Sequence, residues 1–169
     1  MPGEMTADDV RELLGLQTHA TCGFVAETYR SEERIAPGGL EAPFDAGRPL
    51  GSALYFLVTP DAPVRLHRIR NHHLYHRYLG DPIEIMLLHP GGTTGHDIVG
   101  PDLRHGHKLQ LLIPGNTFHT ARLMPGGSWF LGASTEWPGV EAPDVELGDI
   151  VQLSELYPAA AQALRSFVG

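Results

Sequence analysis

The chain has 169 residues, a formal net charge of −8 and one cysteine, a size that suits a single domain with its own core. Hydrophobic residues make up 42% and charged residues 19%, the balance of an ordinary folded protein rather than a disordered one. Lys108 is the single lysine; that acidic balance speaks against a nucleic-acid partner, which needs a basic face, and no apolar stretch is long enough to cross a membrane as a helix.

The opening "MPGEMTADDV" has no basic stretch followed by an apolar core, so no export signal is expected. Cys22 has no second cysteine to pair with, and the expected compartment is the reducing cytoplasm. Residues 6–15 predict a short helix, with Thr6 as cap, Asp8 and Asp9 in the first turn and Val10, Leu13 and Leu14 on one face. "CGFVAETYR" (22–30) alternates as a strand, and the polar stretch from Ser31 to Gly51 reads as a long loop. Short β-like runs follow at 52–58, 64–69, 74–80, 83–89, 96–100, 108–114, 118–124 and 128–135. Turn formers such as "TPDAP", "GDP", "PGN" and two "PGG" triplets separate them, and the 20 glycines and 14 prolines supply those turns. Many short strands with no helical pattern between them predict an all-β sandwich or barrel. A helix over about 154–168 closes the chain, with Pro158 at its start and Ala161, Leu164, Phe167 and Val168 as its stripe. No internal repeat or linker appears, so one domain over 1–169 is expected, its barrel over about 22–150.

Histidine is the compositional outlier, with ten residues, most of them between His67 and His119. "HRIRNHHLYHRYLG" runs from His67 to Gly80 and "PGNTFH" from Pro114 to His119. These segments resemble the two cupin motifs, His-x-His with a following Glu and Gly, and Pro-x-Gly-x-x-His. Counted back from Gly80, His67 holds the first histidine position, Ile69 the second and His73 the glutamate position. Asn116 stands at the second motif's glycine and His119 at its histidine. Three imidazoles suit Zn, Fe, Ni or Mn, and a partial ligand set leaves room for substrate. Period two puts His67 on one face with Arg65 and Ile69. If His73 points inward, Tyr75 and Arg77 share its face, while His72, His76 and Tyr78 take the other; a bulge would reverse the choice. His89, His96, His105 and His107 fall in turns and read as surface residues.

Over roughly residues 10–155 the chain resembles the cupin family known as domain of unknown function 985. The resemblance rests on "LLGLQTHATCGFVAETYRS", "SALYFLV", "LHRIRNHHLYHRYLGDPIEI", "LQLLIPGNTFHTARL" and "EWPGVEAPDVELGD", in that order. It implies a double-stranded β-helix, the cupin jelly roll, with short N- and C-terminal helices, a pocket in the barrel and a homodimer. Glu27, Tyr29 and Gln110 match family positions and are implied to line the pocket as substrate contacts; Arg77, on the face of His73, is expected to join them. The family commonly reads "DEIWH" where this chain has "HHLYH", so His73 replaces Glu and Tyr75 replaces Trp. It often lacks a histidine at His119, and it has Gly-Gly where this chain has Cys22-Gly23. The leading expectation is a small-molecule enzyme with a divalent ion (Fe, Zn, Ni or Mn) on His67, His73 and His119, with His76, Tyr75 or Tyr78 moving protons. The alternatives are a metal-free epimerase, isomerase or cyclase using a His–Tyr pair, and a cupin that only binds a small ligand.

Overall fold

The computed structural model describes residues 4–168, the side chain of Val168 excepted. Thr6 caps the first helix, α1 (Ala7–Leu13), in a capping box with Asp9, which satisfies backbone donors that the first turn leaves free. The strands follow as β1 (Gln17–Thr18), β2 (Phe24–Arg30), β3 (Arg34–Ile35), β4 (Arg48–Pro49), β5 (Ser52–Val58), β6 (Val64–Ile69) and β7 (His72–Gly80). They continue as β8 (Ile83–Leu88), β9 (Thr94–Val99), β10 (Gln110–Ile113), β11 (Phe118–Leu123), β12 (Phe130–Trp137) and β13 (Val145–Leu147), and the chain ends in α2 (Ile150–Leu156) and α3 (Ala161–Val168).

The strands build a six-stranded sheet in the order β1-β2-β5-β12-β7-β10 and a five-stranded sheet in the order β13-β6-β11-β8-β9. Every ladder in them is antiparallel. From β5 to β8 each strand crosses to the opposite sheet, and from β10 to β13 the alternation repeats. That winding is the jelly roll expected from the motifs. Two closed turns hold it. At Gly80, φ is +83°, and an added Cβ would meet the Trp129 carbonyl at 2.3 Å. At Gly115 an added Cβ would meet the Arg70 carbonyl at 2.2 Å, so the turn before β11 packs directly on the turn between β6 and β7. Asn116, which stands at the motif's glycine, has φ 62°; asparagine is one of the few residues that tolerate this left-handed region.

The inward faces of the sheets meet in a core of Phe56, Val58, Val64, Tyr75, Ile83, Ile85, Leu87, Val99, Leu111, Ile113 and Phe130. Burial of each large side chain contributes about 1.5–3 kcal/mol. Leu153, Leu164 and Phe167 of the closing helices cover Leu66, Met86 and Leu88 on the outside of the five-stranded sheet. Val10 and Leu16 cover Leu57 and Leu131 on the outside of the other.

Several expected boundaries move. The segment 31–51 carries the small β3–β4 ladder, and Arg48 within it is buried against Asp144. The closing helix is two helices: α2 begins at Ile150 under an Asp149 cap, and Pro158, which has no N–H to donate, opens a short 3-10 turn over Pro158–Ala160 before α3. The strand expected at 22–30 begins at Phe24, after Gly23 at φ 40°. The one expected at 74–80 begins at His72.

Candidate functional site

One end of the barrel interior is polar. His67 on β6 and His119 on β11 are direct cross-strand partners in the five-stranded sheet. From the opposite sheet, β7 presents His73 and Tyr75, and β12 pairs Glu136 with His73 and Ser134 with Tyr75. Successive side chains on a strand face opposite ways, so His73 and Tyr75 share the inward face. His67, His73, Tyr75, Ser134 and Glu136 line one cavity of about 450 Å³, with Ser52, Cys22 and Ile69. His19, Glu27, Arg30 and Glu141 also line it. The His119 ring lies 4.3 Å from that of His67 and 5.0 Å from that of His73, centre to centre.

Each of the three imidazoles turns Nδ1 toward the carbonyl two residues back on its own chain. His67 faces the Arg65 carbonyl at 2.7 Å, His119 that of Thr117 at 3.2 Å, and His73 that of Asn71 at a longer 3.4 Å. A carbonyl only accepts, so this network assigns the proton to Nδ1 and leaves the Nε2 lone pair free of the backbone. The Tyr75 hydroxyl donates to His119 Nε2 at 2.9 Å. Burial pushes the pKa of His67 down to about 4 and that of His73 down to about 3, and holds His119 well below the usual histidine range. All three are neutral at physiological pH. Burial also raises the Tyr75 hydroxyl well above its ordinary value and the Cys22 thiol to about 11. Cys22 is therefore a thiol rather than a nucleophilic thiolate.

The sequence reading passed over Glu136. It is 4% exposed, and its two oxygens accept from Ser52 Oγ and Ser134 Oγ, each at 2.6 Å. Ser52 Oγ in turn accepts from the Val140 amide at 3.1 Å, which fixes the whole chain of contacts. Burial raises the Glu136 pKa against the two hydroxyl donors. The alternation Phe130, Gly132, Ser134, Glu136 was the available signal, since it puts Glu136 on the same face as a core phenylalanine.

Other expected contacts lie elsewhere. His76 bonds to Thr135 Oγ1 at 2.9 Å and to the Gln110 side chain at 3.1 Å, and its ring stacks with Tyr78. His76, Tyr78 and Gln110 thus occupy the outer face of the sheet, and Tyr78 is 46% exposed. Tyr29 is 58% exposed because a bulge between Glu27 and Tyr29 turns it out while Glu27 stays opposite Leu54. Another bulge in the β7–β12 ladder lies beyond Arg77, whose guanidinium turns back to the Gly80 carbonyl at 2.8 Å. A third bulge, in the β6–β11 ladder, sends Arg65 to the surface while Ile69 stays with His67. A groove of about 560 Å³ runs outside the five-stranded sheet, beside Arg65, Arg122 and Phe167. Arg122 there is bonded to Glu84 and to the Ser166 carbonyl, and the groove gathers no chemistry comparable to the cavity's.

In kind, the donor set fits a divalent ion: three neutral imidazoles, each with Nδ1 held from behind, as metal-bound histidines have. In spacing it is not a closed cage. Among the described residues no three His, Cys, Asp or Glu side chains stand ready to hold a metal, and His119 Nε2 is occupied by Tyr75. An ion would have to replace that hydroxyl.

No helix among the described residues is long and apolar enough to cross a membrane. The family model of the cupin superfamily (DUF985) matches residues 8–148. An uncharacterised protein of Saccharomyces cerevisiae is 28% identical over 137 residues, 75% of this chain and 67% of that protein. A solved hypothetical protein from Leishmania major matches with a TM-score of 0.87 at 23% identity, covering 96% of this chain and 98% of its own. A solved protein from Shewanella oneidensis matches with a TM-score of 0.84 at 25% identity, covering 98% and 99%. The barrel, its order of strands and the matched residues agree: the chain belongs to the DUF985 family of the cupin superfamily.

Proposed function

We propose that this protein is a small-molecule enzyme whose reaction takes place in the polar end of the barrel, with His67, His73 and His119 as ligands of a divalent ion, Fe, Zn, Ni or Mn. The observation that supports it most is the shared posture of the three imidazoles, Nδ1 on the backbone and Nε2 free of it. When bound, the ion supplies Lewis-acid or redox chemistry toward a substrate oxygen. Tyr75 holds a proton at its hydroxyl, next to His119, and Ile69 and Leu54 exclude water from one wall. A cavity of about 450 Å³ suits a small metabolite.

Metal analysis of protein purified without a histidine tag tests this reading. About one ion per chain is expected, and His67→Ala, His73→Ala or His119→Ala should each strip most of it. Untagged protein that takes up neither zinc nor cobalt at micromolar concentration would end the ion-binding reading. The 2.9 Å contact between Tyr75 and His119 favours a second reading, metal-free acid–base catalysis of an epimerase, isomerase or cyclase kind. Tyr75→Phe separates the two: it frees His119 Nε2 and should raise ion uptake, whereas an acid–base pair loses its proton carrier.

Tyr29, Tyr78, Leu112 and Trp137 expose apolar surface on the six-stranded sheet, and a homodimer would cover it. A sedimentation experiment showing only monomer at micromolar concentration would refute the dimer. The one cysteine, Cys22, is buried and free, which suits a reducing compartment such as the cytoplasm.

A further inference from the structure

The charges around the cavity are unevenly settled. Arg30, the one arginine or lysine lining it among the described residues, donates through Nε and Nη2 to Glu27 and through Nη1 to the Val140 carbonyl. Glu141 is paired with Arg34 at 2.8 Å. His67, His73 and His119 turn Nδ1 to backbone carbonyls and form no ion pair among the described residues. Among the described residues, Glu136 is the lining carboxyl without an ion-pair partner, held only by two serine hydroxyls. Those hydroxyls orient both oxygens, and a carboxylate has more acceptor positions than two donors use.

We propose that Glu136 contacts the bound small molecule and sets its charge class in the ion-free protein: the cavity then takes a neutral or cationic molecule that offers O–H or N–H groups, and it rejects organic anions. In the ion-free protein an anionic ligand would lie beside the Glu136 carboxylate with no unpaired arginine or lysine among the described lining residues to offset the repulsion, and in a partly dehydrated cavity that repulsion is screened poorly. A hydroxyl or ammonium group instead finds an oriented acceptor, strengthened by charge. The proposal rests on reading the cavity as a small-molecule site and concerns the ion-free protein, since a bound divalent ion would itself attract an anion.

Three ligands of one skeleton test it: benzylamine, benzyl alcohol and benzoate, titrated against chelator-treated protein at neutral pH and followed by calorimetry and by the histidine ring signals in NMR. Benzylamine and benzyl alcohol should bind and shift the His73 and His119 signals, with benzoate weaker by about tenfold or more. Glu136→Gln should bring benzoate to within about threefold of the alcohol and weaken benzylamine. Glu27→Gln, a change at an exposed residue, releases Arg30 and should strengthen benzoate several-fold while leaving Glu136 in place; it serves if Glu136→Gln does not fold. Benzoate binding as well as the alcohol in the parent protein overturns the proposal. So does an unchanged gap in both variants, or no binding of any of the three. Metal content is measured separately, so failure of the ion reading and failure of this one are told apart.

Discussion

The two ends of this barrel are made by the same strands and do different work. On β12 the inward face runs from Phe130 to Glu136, on β5 from Val58 to Ser52, on β11 from Leu123 to His119, and on β6 from Val64 to His67. One end is filled with aromatic and branched side chains; the other holds imidazoles, hydroxyls and a carboxyl around an open space. Tyr75 joins them, its ring 4.7 Å from that of Phe56 and its hydroxyl on His119. The lesson is a division of labour along each strand. The apolar end supplies the burial that lets the polar end hold groups whose charged forms are suppressed.

Acid should expose that division most strongly. In ion-free protein the folded-state pKa values of His67, His73 and His119 lie below the unfolded value of about 6.5. A depressed histidine contributes stability above the unfolded pKa and loses it as pH falls toward the folded one. His67 alone, at about 4, should cost on the order of 3 kcal/mol by pH 4. Glu136 has the opposite sign: its raised pKa favours the fold at low pH and loses that contribution as pH rises through it. Urea unfolding from pH 7.5 to 4 should show a net fall, and His67→Gln should reduce it. A flat profile would mean that the polar end is wetter than its burial implies.

The apolar end should answer to volume instead. Phe130→Ala removes a fully buried ring that packs 5.6 Å from Phe56 and should cost about 3–5 kcal/mol, with little change in the acid dependence. A loss below about 1 kcal/mol in thermal unfolding would show that this end collapses easily and does not anchor the barrel. At the seam, Tyr75→Phe keeps the ring and removes one buried hydrogen bond, so it should cost about 1–2 kcal/mol. It leaves His119 Nε2 without a donor, which ion uptake reads directly.

Much of the barrel was legible in the sequence because strands announce themselves by alternation and by the turns between them. The jelly-roll class and the family match followed from the same segments. The placing of His67, His73 and His119 together could be reached because motif spacing counts residues along the chain, and the β6–β11 ladder sets His67 directly opposite His119. Tyr29 and Arg65 could not be placed, because single-residue bulges in the β2–β5 and β6–β11 ladders break the parity on which the alternation depends. His76 and Gln110 suffered differently: a family position says that a residue matters without saying which face it occupies. Glu136 stands outside both histidine motifs, and no motif spacing marks it. Its role is visible only when β12 lies between β5 and β7 and the two serines close on its oxygens.

The smallest effect is the sharpest check on the separation of faces. His76 lies three residues from His73 on β7, and the pleat turns the two rings to opposite sides. His73 faces the cavity, buried and neutral. His76 is half-buried on the outer face, bonded to Thr135 and Gln110, groups that water can also satisfy. His76→Ala should therefore shift stability by no more than about 0.5–1 kcal/mol, and it should leave ion uptake and benzyl alcohol binding where they were. His73→Ala, made beside it, should lose the ion and move the binding curve. If the two variants reduce cavity binding alike, the outer face communicates with the site, and the proton-transfer role expected of His76 from sequence would return through the Thr135 contact. If only His73→Ala does so, the sheet separates the functional face of β7 from the one left for packing.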